Sequence, residues 1–262
     1  MKVLHITDSH LYADADVRLK NVNTDQSFQQ VINTAVAAHP DVALTVLGGD
    51  MAQDCLNETY FRLQQHFKNW PSPFLLSPGN HALIENIELS LLETLIQPEH
   101  WQQGFQSKHW HIISLNSNAP GQISGHLSDE ELCRLQRLLE TSQSTYIMIA
   151  LHHHPLPIDS AWLDQISLQN ADAFWSLLQS NEKVRAVIHG HTHQSVDHWH
   201  KHIRVLGAPS TCIQFKPNQQ DFTLDDKPPG YRWLELADDG SISTGVERIE
   251  GHIPDLTDLT FY

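Results

Sequence analysis

Five short segments of this chain carry side chains able to bind metal ions and to move protons. They are Asp8-Ser9-His10, Gly48-Gly49-Asp50, Gly79-Asn80-His81, His152-His153-His154 and Gly190-His191-Thr192-His193. Their donors are carboxylate and amide oxygens and imidazole nitrogens, which suit iron, manganese or zinc. No thiolate lies among them, which argues against a closed structural zinc site. Asp8 and His10 are two residues apart, as are His191 and His193. On extended backbone that spacing turns both side chains of a pair to one face. The glycines at 48, 49, 79 and 190 permit tight turns and let the chain approach an ion closely. A lone Asp-x-His or Gly-Asp is common; five such segments in order, each after an apolar run, carry information.

Something must bring these distant segments together. Apolar runs at 3–7, 42–47, 74–77, 110–115, 146–151 and 184–188 read as strands. Amphipathic stretches between them read as helices. Phe28, Val31, Ile32, Ala35 and Val36 follow Thr24, a plausible N-cap. Tyr60, Phe61, Leu63 and Phe67 mark a second helix. Ser128-Asp129-Glu130-Glu131 forms a capping box ahead of Leu132, Leu135, Leu138 and Leu139. Phe174, Leu177 and Leu178 mark another. Beyond His193 come strand-like pieces at 203–206, 211–215, 231–236 and 243–249, with a polar, Pro-rich loop expected at 216–230. This alternation predicts an α/β fold in one domain, residues 1–262. In open α/β sheets ligands bind beyond the carboxyl ends of strands, so the five segments should meet in one crevice.

The bulk composition narrows the partners. With 31 acidic and 16 basic residues the net charge is −15, which repels a phosphate backbone and excludes a nucleic-acid polymer as the expected partner. A phosphate-bearing substrate would need a local source of positive charge, such as metal ions. The three cysteines, Cys55, Cys133 and Cys212, form no C-x-x-C pair and suggest neither a disulfide framework nor a thiolate site. The N-terminus turns polar after six residues, and the longest apolar runs are of strand length. A secretory signal and a membrane span are therefore not expected, and the cytoplasm is the default compartment. The oligomeric state is left open.

The order D-x-H, G-D, G-N-H, H, G-H-x-H resembles the signature of the calcineurin-like metallophosphoesterases. The resemblance narrows to the bacterial 3′,5′-cyclic-AMP phosphodiesterases, the class III cyclic nucleotide phosphodiesterases. The segments carrying the closer match are 151–157 (LHHHPLP), 160–165 (SAWLDQ), 209–217 (PSTCIQFKP) and 222–225 (FTLD). It implies a four-layer sandwich, two mixed β-sheets flanked by helices. It also implies two divalent ions, iron or manganese first and zinc second. One would be held by Asp8, His10, Asp50 and His193, the other by Asp50, Asn80, His152 and His191. A hydroxide bridging the pair would attack the phosphorus of cyclic AMP and open the ring to 5′-AMP, with His81 protonating the leaving oxygen or stabilising the transition state. The same eight side chains would surround the substrate phosphate. Two divalent ions, two carboxylates and a hydroxide leave a small positive charge, which offsets the acidic surroundings. One position departs from the family: where Asp commonly follows G-N-H, this chain has Ala82, removing a carboxylate beside His81. Other cyclic nucleotides, phosphodiesters or monoesters are the alternative substrates, and a non-catalytic scaffold would be expected to have lost ligands.

Nineteen histidines make an isolated one uninformative. His5, His39, His66, His100, His109 and His111 read as surface or packing residues, and His198, His200 and His202 as a solvated strand face. Of the three consecutive histidines, the family pattern H-H-P-P-V-P aligns its ligand with His152, His153 being the alternative. Asp54, Cys55 and Cys212 read as structural, and Trp162 as a residue near the site that could shape a nucleotide pocket.

Overall fold

Val3 and Leu4 are neighbours in the strand Lys2–Ile6; both are fully buried, yet they sit in different hydrophobic clusters. Side chains alternate across a strand, so a strand buried on both sides needs a layer packed on each. That requirement organises the computed structural model, which describes residues 1–84, 95–258 and 260. One sheet has five strands in the order Ile242–Arg248, Gly230–Leu236, Lys2–Ile6, Leu44–Leu47, Phe74–Leu76. The other has six: Asp197–His200, Ile203–Gly207, Val184–His189, Tyr146–Leu151, Trp110–Ser114, Phe105–Gln106. Both are mixed. Lys2–Ile6, Leu44–Leu47 and Phe74–Leu76 run parallel, and Gly230–Leu236 and Ile242–Arg248 are added antiparallel. In the second sheet four central strands run parallel between two antiparallel edges.

The sheets meet face to face through Val3, Leu44 and Val46 on one side and Ile112, Met148 and Ile188 on the other. Helices Thr24–Ala38 and Asn57–His66 cover the outer face of the first sheet, with Phe28, Val31, Tyr60 and Leu63 packed on Leu4, Ile6 and Leu47. Helices Asp129–Thr141 and Ala171–Leu178 cover the second, with Leu135, Leu138, Phe174 and Leu178 on Ile147, Ile149 and Val187. The result is the four-layer sandwich that the resemblance implied.

Three local expectations change. Asn23, not Thr24, caps the first helix, its side chain accepting the Gln26 N–H at 2.8 Å. Ser128 does accept the Glu131 N–H, but Glu131 does not reach back. Its carboxylate takes the Asn116 N–H at 2.8 Å and Arg134 instead, so the box is only half formed. The strand expected at 211–215 shortens to Gln214–Phe215 and pairs with Leu224–Asp225, inside the stretch read as loop. Two residues per strand are too few to show an alternation, and packing of Phe215 and Leu224 into a small side cluster holds them. Among the described residues no helix is long and apolar enough to cross a membrane.

Candidate metal centre

Five parallel strands deliver the five motifs. Lys2–Ile6 leads to Asp8 and His10, Leu44–Leu47 to Asp50, and Phe74–Leu76 to Asn80 and His81. Tyr146–Leu151 runs directly into His152, and Val184–His189 leads to His191 and His193. The expectation that extended backbone aligns the i, i+2 pairs is overturned. Asp8, His10, Asp50, His191 and His193 all have left-handed φ, between 46° and 64°. Each lies in the loop past its strand, and the turn, not the strand pleat, aims the side chain. Non-glycine residues hold such φ at a cost of order 1–3 kcal/mol and cluster at functional sites. The two halves of His191-Thr192-His193 accordingly part company. His193 joins Asp8 and His10, while His191 joins His152 and His153.

The first group is a convergence of acceptors. His10 Nδ1–H donates to Gln53 Oε1 at 2.6 Å and His193 Nδ1–H to the Ile213 carbonyl at 2.8 Å. Those bonds leave both Nε2 lone pairs inward, 3.3 Å apart, with Asp8 Oδ1 3.3 Å from the His193 nitrogen. Three lone-pair atoms held this close repel one another unless a cation lies among them. The second group repeats the pattern. His152 Nδ1–H donates to the Gly48 carbonyl at 2.7 Å and turns Nε2 toward Asp50 Oδ2, 3.2 Å away. His152 Nε2, His191 Nε2 and Asn80 Oδ1 are buried without a hydrogen-bond partner. Orphaned buried polar atoms of this kind are costly unless an ion or water completes them. Asp50 takes part in two further clusters, one with Asp8 and His152 and one with His10 and His81, so its carboxylate lies within reach of donors from both groups. The clustered donors therefore fit a dinuclear metal centre.

Outer contacts hold these donors. Asp8 accepts Thr7 Oγ–H at 2.6 Å and the His191 N–H on both oxygens. The His81 N–H donates to Asp50 Oδ1 at 2.8 Å, and its ring meets His10 edge to face at 5.2 Å. These contacts fix His81 although Ala82 offers no carboxylate; Ala82 packs on the first core, and its carbonyl accepts from Asn118. His153 is near the second group, its ring centroid 4.7 Å from that of His191. Both its nitrogens are already used, however: Nδ1 accepts from Ser117 Oγ at 2.8 Å and Nε2–H donates to the Ile123 carbonyl at 3.0 Å. The geometry favours His152 as the donor.

Burial governs the charge states. It pushes His10 down to about 3, and His191 well below the ordinary imidazole range, aided by the neighbouring His153 and His152. Neutral imidazole is the form that binds metal. Asp50 is the reverse: burial would raise it, but His152 beside it holds it well below the carboxylate range. For His152, burial is outweighed by the Asp50 charge, which lifts it to about 9.

A cavity of about 260 Å³ is lined by the donors His10, Asp50 and Asn80 and by the apolar side chains of Ile123, Trp162 and Phe215. Gln53, Thr7, Ser117 and Asn118 escaped sequence reasoning, because nothing in their spacing marks a residue that acts through another. Asp54 accepts from Ala13 N–H and Thr59, and buried Cys212 contacts the Asp8 carbonyl, so both are structural as expected.

Residues 1–195 match the calcineurin-like phosphoesterase family. The chain is 38% identical over 259 residues to the 3′,5′-cyclic adenosine monophosphate phosphodiesterase CpdA of Vibrio vulnificus, covering 98% of this chain and 94% of that one. It is 36% identical over 249 residues to the protein of the same name from Escherichia coli K12, covering 95% and 90%. Among solved structures, a dimetal phosphatase from Danio rerio superposes with a TM-score of 0.65 at 15% identity, over 95% of this chain and 96% of that one. At that identity the likeness concerns the fold alone.

Proposed function

The chain belongs to the calcineurin-like phosphoesterase family, and we propose that it hydrolyses 3′,5′-cyclic AMP to 5′-AMP with a pair of metal ions, iron or manganese before zinc. Asp8, His10, Asp50 and His193 would hold one ion; Asp50, Asn80, His152 and His191 would hold the other. Asp50, clustered with Asp8 and His152 on one side and with His10 and His81 on the other, is the observation that carries this reading. The ions would neutralise charge on the phosphate and lower the pKa of bound water.

The side chains of this protein do the rest. His10, His152 and His193 have Nδ1 bonded to Gln53, Gly48 and Ile213, so Nε2 is the nitrogen each would offer to an ion. Asp50 holds the His81 backbone, which places that ring at the cavity wall beside His10. From there His81 would give a proton to the 3′ oxygen as the P–O bond breaks, or hydrogen-bond the charge developing on phosphate. The names of relatives similar over nearly the whole chain support cyclic AMP as the substrate.

The test is metal analysis of the purified protein, with turnover of cyclic AMP, cyclic GMP and bis(p-nitrophenyl) phosphate in manganese or iron. Two metal equivalents and preference for a cyclic nucleotide are expected. Slow turnover of all three without preference would overturn the assignment of substrate.

A further inference from the structure

Part of the cavity lining is aromatic and aliphatic. Trp162 lies on the short helix Ala161–Asp164, half-buried on a side cluster that includes Leu163 and Phe215. Its ring is fixed edge to face against Phe215 at 5.0 Å and Phe222 at 5.3 Å. Phe215 in turn lies flat on His193, 4.1 Å between centroids and 11° between planes. The aromatic wall is therefore continuous with the donor cluster.

Another wall is Ile123, 46% exposed yet lining the same cavity. Its loop is not loose. The Ile123 carbonyl accepts from His153, and Gly125 packs so closely on that ring that a Cβ there would sit 2.4 Å from His153 Cγ. The Gly125 N–H donates to the Ser167 carbonyl at 3.1 Å. The aliphatic side chain of Ile123 lines the cavity and is unused by the phosphate chemistry.

We propose that the base of the bound nucleotide lies between Trp162 and Ile123 and draws its affinity from stacking on these two walls. This rests on the reading that the substrate is a nucleotide. A base has two apolar faces and a polar edge, so the faces would meet indole and isoleucine while the phosphate reaches the donors. The Trp162 ring and the Ile123 backbone are held by their own contacts, so less order is lost on binding.

The test compares 5′-AMP with ribose 5-phosphate, binding each by calorimetry to the manganese-loaded protein. AMP should bind at least about fivefold tighter, the scale of a base–aromatic stack. Trp162→Ala and Ile123→Ala should each cut that ratio at least about threefold, while Trp162→Phe keeps most of it. Ile123 is exposed, so its replacement tests the clamp even if Trp162→Ala misfolds. Equal binding of AMP and ribose 5-phosphate to the unaltered protein, or a ratio unmoved by both alanine variants, overturns the clamp. Failure of the phosphodiesterase reading looks different. Cyclic AMP would then go unhydrolysed while AMP still bound in a Trp162-dependent way, and the clamp would stand.

Discussion

Gly79 lies so close to Asp50 that a Cβ on it would sit 2.0 Å from Oδ1. No rotation of a methyl group relieves that overlap, so the carboxylate or the backbone must move. Asp50 is clustered with Asp8 and His152 on one side and with His10 and His81 on the other, and displacing it disturbs both clusters. Gly79→Ala should lower kcat/KM at least about 100-fold, since misplacement near 1 Å costs that much. Circular dichroism should show the fold retained. Activity within tenfold of the unaltered protein would contradict the role given to Asp50.

Gln53 Oε1 accepts the His10 Nδ1 proton at 2.6 Å. Removing such a support typically weakens metal binding about 10–100-fold. Gln53→Ala should therefore need about that much more manganese for half-maximal activity, with most activity returning at saturating metal. An unchanged manganese requirement would show that the contact does not orient His10.

Metal removal should weaken the protein without unfolding it, because the two sheets and their flanking helices pack through hydrophobic clusters that contain none of the donors. Manganese at about 1,000 times its Kd should restore roughly 4 kcal/mol of stability. Urea denaturation with chelator and with manganese measures this. An identical midpoint in both would mean that no ion binds the native state.

His5 is fully buried between the sheets, and neither ring nitrogen has a hydrogen-bond partner. Burial and the nearby Arg232 push it down to about 3. The folded protein then refuses a proton that the unfolded chain accepts near 6.5. Stability should be complete above about pH 6.5 and fall as pH drops toward 3, by at most about 1.4 kcal/mol per pH unit for this group. His5→Leu should flatten the slope between pH 4 and 6 by roughly that amount. A slope unchanged by the substitution would remove His5 as its source.

Much of this was legible in sequence because the motifs report their own positions. Asp8, Asp50, Asn80, His152 and the pair His191 and His193 each follow an apolar run, and those runs became parallel strands. The brief strands Gln214–Phe215 and Leu224–Asp225 were not legible, because a two-residue strand has no period. Nor were Gln53 and Ser117, whose importance lies in one contact each across 43 and 36 residues of chain. The choice between His152 and His153 turns on which nitrogens are already bonded, and sequence carries no trace of that.

The handedness of the backbone at Asp8, His10, Asp50, His191 and His193 bears on anyone hoping to transplant this centre. Copying the seven side chains onto the ends of ideal strands would aim them elsewhere, however well the spacing matched. A successful graft would have to carry the bent loops along with their residues. The host would also have to be robust enough to keep five unfavourable peptide conformations from relaxing.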